Sequence, residues 1–344
     1  MASLDHTSAS GRAHPARRTR IAARLLGLVL LAAGAGGPAP AQDAAPVAWP
    51  RTVTLLVPFG PGASNDTFAR VLAQKLGPRL GTNVIVDNKP GAGGMIGAAS
   101  VARSAPTGAT LMLTSSTFTA SAAVQQRLAF DPVKGLAPVA MMARGPMVFA
   151  VGASSPHKTL ADVIAAARAE RGRITYGSAG IGSINHMGTE LLASLAGIEM
   201  THVPYKGAAN ALTDLIGGQV QFMLAAPTSL LPHVKAGRVR GLAVTTLQPS
   251  PLVPDLPTAA STVPGLEVAI WWGVFAPAGT PQSMIERLNA EVRAISAEPE
   301  MRARFEQEGA EPETAMSAEQ FAAWVRGDIE TWRRVAAERG ITAE

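Results

Sequence analysis

Three times along this chain an apolar run of strand type empties into a short polar turn, and a helical repeat begins at once. TVTLLVP (52–58) leads into FGPGASND (59–66), after which Phe68, Val71, Leu72 and Leu76 recur at helical spacing. TLMLTSS (110–116) runs into the hydroxyl-rich turn TSSTFT (114–119). ITYGSAG (174–180) runs into GSAGIGSINH (177–186), followed by Ile184, Met187, Leu191, Leu192 and Leu195 and a stop at Gly197. Strands separated by helices pair in parallel, with the helices covering the sheet. The pattern predicts an α/β fold whose ligand-ready turns lie at the carboxyl ends of strands.

The segments between follow the same alternation. NVIVDN (83–88), MTHVPY (200–205), VQFMLA (220–225), VRGLAVTT (239–246) and AIWWGVFAPAG (269–279) read as strands. Residues 95–103, 159–169, 210–218 and 228–237 read as helices, and a second unit starts after MVFAVGASS (147–155). Five prolines in 249–264 predict an irregular connection. Two helices, 281–297 and 317–339, finish the chain, the latter with Phe321, Trp324, Val325, Ile329 and Trp332 on one face. At 344 residues the chain exceeds what one small core organises, so two lobes are expected.

The net charge of +5 is misleading as a guide to partners. Residues 1–41 hold Arg12, Arg17, Arg18, Arg20 and Arg24 against Asp5, which leaves the rest of the chain at +1. A nearly neutral body gives no electrostatic reason for nucleic-acid binding. Those first residues have the order of a cleavable export signal: a basic stretch, the apolar run LLGLVLLAA (25–33), then Ala39-Pro40-Ala41. The run is too short to span a bilayer. Cleavage near Ala41-Gln42 and a periplasmic mature protein are expected, and Arg17-Arg18 hints weakly at twin-arginine export. With no cysteine, disulfides, thiol catalysis, cysteine-held metals and a lipoprotein anchor are excluded.

What chemistry do the turns offer? Gly180-Ile181-Gly182 lacks the third glycine of a dinucleotide fingerprint, as does Gly91-Ala92-Gly93-Gly94, and no Gly-Lys pair exists for a P-loop. Around Ser178 a nucleophile elbow would need glycine where Tyr176 stands. A hydrolase using Ser178 with His186 or His202 is therefore only an alternative. His157, His186, His202 and His233 are scattered, so no metal site is expected. An anion cradle fits better: turn N–H groups and a helix N-terminus, with Ser183 as cap, bind carboxylates without catalytic residues.

Taken in order, several segments resemble the Bug family, the extracytoplasmic receptors of tripartite tricarboxylate transporters. They are VPFGPGASNDTFAR (57–70), VDNKPGAGGMIGA (86–98), GSAGIGSINH (177–186), HVPYKGAANALTDLIGGQVQFM (202–223), LPHVKAGRVRGLAV (231–244) and APAGTP (276–281). The resemblance spans essentially 49–341 and implies a two-lobed type II periplasmic-binding-protein fold, each lobe a mainly parallel sheet flanked by helices. It implies one lobe from 49–149 plus 270–344 and another from 150–269, with the chain crossing near 147–152 and 268–275. It implies capture of a small carboxylate by cleft closure, delivery to transporter membrane subunits, a monomer, no cofactor and no catalysis. A ligand sensor with a signalling partner is the alternative within the same fold. Carried onto matching positions, the ligand site comprises Phe59, Ala63, Ser64, Asn65 and Asp66; Ser115, Ser116 and Thr117; Ser178, Gly180, Gly182, Ser183 and His186; and Tyr205 and Lys206.

Three departures from the family pattern stand out. Ala63 replaces the second glycine of the first loop, which restricts that position to negative φ and predicts a shifted loop. Ala225 stands where an acid often follows the strand, arguing against ligands that carry an ammonium group. TGATLML (107–113) lacks an aspartate-glycine-tyrosine pattern, a structural difference.

Overall fold

The computed structural model describes residues 48–343; the expected export segment lies outside them. The first elements are β1 (Thr52–Val57), α1 (Ser64–Leu80), β2 (Asn83–Asn88), α2 (Met95–Ala102), β3 (Thr110–Ser115), α3 (Thr117–Val124) and β4 (Leu136–Pro146). The middle holds β5 (Val148–Gly152), α4 (Leu160–Ala169), β6 (Thr175–Ser178), α5 (Ile184–Ala196), β7 (Thr201–Pro204), α6 (Ala208–Ile216), β8 (Phe222–Ala225), α7 (Pro227–Lys235) and β9 (Val239–Val244). β10 (Ala269–Pro277), α8 (Gln282–Ser296), α9 (Pro299–Gln307), β11 (Glu311–Pro312) and α10 (Ala318–Arg339) complete it.

Two sheets result, ordered β11-β4-β10-β3-β1-β2 and β7-β6-β8-β5-β9. β1 runs parallel to β2 and β3, and β6 runs parallel to β7 and β8. β10 and β5 run antiparallel to their neighbours on both sides. β3 is buried along almost its whole length and β8 along all of it, because helices cover both faces; this is why their sequences read as apolar runs without alternation. β1, β3 and β6 end on the loops that open α1, α3 and α5, as the strand–turn–helix pattern predicts.

Three features differ from the sequence reading. β4 occupies 136–146, where no strand was expected; Pro138 and Gly145 make the segment read as irregular, yet β10 and β11 pair it on both sides. A third late helix, α9, buries only Met301 and Phe305 on an otherwise charged surface, too little for a visible period. Leu195, expected on the packed face of α5, is 39% exposed.

The chain passes from the first sheet to the second at Met147 and returns at Val268, and Thr245 joins the two crossings. Its hydroxyl accepts the Met147 N–H at 2.9 Å and contacts the Val268 carbonyl, while its own carbonyl accepts the Val268 N–H at 3.2 Å. α10 spans the same junction. Phe321, Val325 and Ile329 pack with Phe118 and Phe275 of the first sheet's core. Trp332, Val335 and Ala336 pack with Phe149, Tyr176 and Leu191 of the second.

Candidate functional site

The first loop is held from below. Asp66, at the start of α1, accepts the Gly62 N–H at 3.0 Å and the Arg70 Nε–H at 3.0 Å. Burial pushes its carboxyl up, but hydrogen bonds from Arg70, the Gly62 N–H and Asn88 outweigh this and hold it below the usual carboxylate range. Asn88 in turn donates to the Phe59 carbonyl at 3.1 Å. Ala63 caps α1 at φ −77 and ψ 163, an extended conformation that any residue adopts. The left-handed position is Gly62, at φ 85. Ala63 therefore sits in this loop without backbone strain. With no side-chain acceptor at the cap, the Ser64 and Asn65 N–H groups of a 17-residue helix keep no side-chain partner.

The third-strand loop is buried deeper. Ser116 donates its N–H to the Trp271 carbonyl at 2.9 Å. Thr119 donates its hydroxyl to Asp328 of α10, which also accepts from the Trp271 indole at 3.0 Å. Among the described residues the buried Asn65 Oδ1, Thr114 Oγ1 and Ser116 Oγ have no hydrogen-bond partner. All three sit where β1 and β3 give way to their helices.

The loop from Ser178 to His186 is braced by aromatic side chains. Ser178 Oγ lies 2.6 Å from His202 Nε2 and accepts the Gly180 N–H at 3.0 Å. Ser183 donates to the Gly180 carbonyl at 2.7 Å and caps the His186 N–H at 3.3 Å. The Gly182 N–H donates to His186 Nδ1 at 3.2 Å, which leaves the proton of that neutral ring on Nε2. The rings of His186 and His202 stack at 3.8 Å, with Tyr176 behind. Burial lowers His186 to about 3 and His202 to about 4, so both are neutral at pH 7. The Tyr176 hydroxyl donates to Glu190, whose other oxygen pairs with Arg339 of α10 at 2.6 Å.

The loops meet through small residues. The Ser121 hydroxyl of α3 donates to the Gly182 carbonyl at 3.3 Å. A methyl on Gly182 would lie 2.6 Å from Val124, and the backbone there is left-handed at φ 75, so glycine alone permits this approach. A methyl on Gly93 would strike Ser121, and one on Gly94 would lie 3.3 Å from the Phe59 ring. Gly91–Gly94 thus lies between the first loop and α3, while α3 touches the loop of the second sheet. A cavity of about 530 Å³ opens elsewhere, between α7 and β9, lined by Leu230, Val234 and Leu256 and by no candidate residue.

The model of the tripartite tricarboxylate transporter family receptor matches residues 68–341. The chain belongs to this receptor family. A protein of Pseudomonas sp. (strain P51), from a tcbD-tcbE intergenic region, is 36% identical over 85% of this chain and 88% of its own length. An R. palustris protein solved with adipate is 36% identical, with a TM-score of 0.73 over 86% of this chain and 99% of that one. The periplasmic binding protein BugD is 32% identical, with a TM-score of 0.71 over 86% and 99%. The fold is accordingly the two-lobed one of periplasmic binding proteins.

Within this receptor fold, the candidate residues divide by what already occupies them. Ser178, Ser183 and His186 are buried and bonded inside their own loop, and Asp66 is bonded to Arg70 and Gly62. Tyr205 donates its hydroxyl to Asp214 at 2.6 Å, and burial with that bond pushes it up to about 12. Ala63 and Lys206 are exposed; Phe59, Ser64, Thr117 and Gly180 are half-buried; Ser115 is buried. Ser178 and His202 do form a close pair, as the hydrolase alternative requires, but Ser178 is fully buried and its oxygen is engaged within the loop. Ala225 is buried and pairs with Val148, so no carboxylate stands there. Sequence reasoning missed Gly91–Gly94 and Ser121 as parts of the junction. The glycine cluster was visible, but only the packing shows what approaches it.

Proposed function

We propose that this protein is a periplasmic receptor that closes on a small carboxylate and hands it to the membrane subunits of a tripartite tricarboxylate-type transporter. The observation that carries this reading is the open start of α1. Ala63 offers no cap, Asp66 is engaged by its own loop, and the Ser64 and Asn65 N–H groups remain for an anion beside the positive end of the helix. The unpartnered Ser116 hydroxyl at the start of α3 and the N–H groups opening α5 supply further donors. Family membership and the adipate held by one similar protein support a carboxylate ligand.

In this reading the lobes are 49–149 plus 270–344 and 150–269, hinged at Met147 and Val268. The ligand stands between the Phe59–Asp66 loop, the Ser115–Thr117 turn and the Ser178–His186 loop, flanked by Tyr205 and Lys206. Ligand shifts an equilibrium between open and closed lobes, and no chemistry occurs. The protein is exported, cleaved near Ala41-Gln42 and acts as a monomer. Thermal denaturation of the ligand-stripped protein tests the reading against mono-, di- and tricarboxylates, amino acids and aromatic acids. A ligand at 100-fold its Kd adds about 2.7 kcal/mol to stability. A shift confined to carboxylates is expected; stabilisation by amino acids alone, or by no carboxylate, overturns it.

A further inference from the structure

Resting on the receptor reading, we infer that the face built from α2 and residues 125–130 docks an acidic, apolar-tipped peptide segment of a partner protein. A cavity of about 280 Å³ opens there, lined by Ala92, Ile96, Leu128 and Phe130 and by Arg103 and Arg127. α2 turns Met95, Gly97, Ala98 and Val101 inward and leaves Ile96 and Arg103 outside, Ile96 at 51% exposure. A methyl on Gly97 would strike Pro58, Leu56 and the Lys89 carbonyl, so the helix is pressed onto the end of β1 and cannot roll to bury Ile96.

Charge sets the sign of the occupant. No acid lines the cavity, and among the described residues neither Arg103 nor Arg127 has an ion pair. Lys89 donates to Ser100 of α2 at 3.0 Å, which brings a third cation onto the helix face that carries Arg103. Asp131, next to Phe130, is taken up by its own loop, accepting the Val133 and Lys134 N–H groups at 2.8 and 3.1 Å. A guanidinium meets a carboxylate through paired N–H groups, while an apolar side chain covers Ile96 and Phe130. The volume falls below that of pockets that enclose a whole small molecule and suits one or two side chains of a peptide. Loops on the periplasmic side of membrane proteins are poor in Lys and Arg, so their acids are left for a receptor's arginines to meet. The membrane subunits of the receptor reading present such loops.

This face is also tied to the candidate ligand loops. Ala92, at φ 47, is among the described residues the one non-glycine with left-handed backbone, a conformation that persists only where its surroundings fix it. Here Gly94 lies against the Phe59 ring and Gly93 against Ser121, whose hydroxyl donates to the Gly182 carbonyl of the second sheet's loop. A segment seated on Ala92 rests on the same short loop that backs Phe59 and Ser121.

Fluorescence anisotropy on the full chain produced by export tests this with a short labelled peptide in which leucines are flanked by glutamates, and with its lysine-for-glutamate counterpart. Phosphatidylglycerol vesicles form a third arm, read by co-sedimentation. The glutamate peptide is expected to bind at least about tenfold more tightly than the lysine peptide, and Arg103→Glu with Arg127→Glu should remove at least about tenfold of that affinity. Ile96→Ser should weaken it roughly threefold or more, and added salt should weaken it further. The thermal shift given by carboxylates should stay native in every variant, which also shows that the fold is intact. No binding of the glutamate peptide, equal binding of the lysine peptide, or unchanged affinity in the double variant overturns the inference and leaves the receptor reading standing. Vesicle binding that the double variant abolishes assigns the face to lipid and overturns it as well. A variant that folds but loses the carboxylate shift would place its residue in the ligand site, with the same consequence. Absence of any carboxylate shift in the native chain, with the peptide still bound through the two arginines, fails the receptor reading alone.

Discussion

His186, buried, and His202, half-buried, lie face to face beneath the loop they support, and loss of solvent lowers them to about 3 and about 4. In the unfolded chain both titrate near 6.5. As pH falls below 6.5, the unfolded chain takes up protons that the folded chain refuses, so stability falls with pH. Asp66, held below its ordinary value, adds to the loss lower still. Asp328 works in the opposite sense: burial raises it to about 6, so between pH 6 and 4 the folded chain keeps a proton that the unfolded chain releases. Two imidazoles outweigh one carboxyl, and Tm is expected to decline from pH 6.5 to 4.5. His202→Gln, which offers Ser178 a polar partner that does not titrate, should flatten the decline. An identical pH profile in that variant would place the loss elsewhere.

At the scale of the element, α1 starts without a side-chain cap, and a residue that closes it should compete with ligand in the proposed reading. Ala63→Asp supplies an N-cap acceptor for the Asn65 or Asp66 N–H, stabilising the ligand-free protein by about 0.5–2 kcal/mol. The same carboxylate occupies the donors and repels an anion, so carboxylate affinity should drop at least about tenfold. A higher Tm with unchanged affinity would move the carboxylate away from α1. The existence of α1, α3 and α5 was readable from sequence, because each follows an apolar strand and a polar turn. What the sequence could not show at this loop is which position needs glycine's freedom. Here the left-handed residue is Gly62. β4 was unreadable for a related reason, since its proline and glycine are tolerated only because β10 and β11 flank it.

For the molecule as a whole, Thr245 ties both crossings between the sheets. Thr245→Val keeps the shape but strands the Met147 N–H and removes the bond to the Val268 carbonyl, at a cost of about 1–3 kcal/mol. Tm should fall, and if the lobes close on ligand as proposed, the ligand-dependent change in radius of gyration, read by small-angle scattering, should alter, because the crossings have lost their shared anchor. A variant with native Tm and native compaction would show that the crossings need no such tie. α10 reaches across the same junction, and its Arg339 pairs with Glu190, which in turn holds Tyr176 behind the two stacked histidines.

By itself the sequence determined the alternation of strand, turn and helix, the carboxyl-end position of three ligand-ready loops, and the family, since each is written in local spacing or in ordered motifs. Tertiary structure alone decided which polar groups remain free. Ser178, Ser183, His186 and Asp66 read as ligand-site residues along the chain, yet the partners they hold are His202, Gly180, Gly182 and Arg70. A hydrogen bond is spent on whatever group the fold brings within about 3 Å, and that distance is set by packing between segments that sequence order does not place side by side.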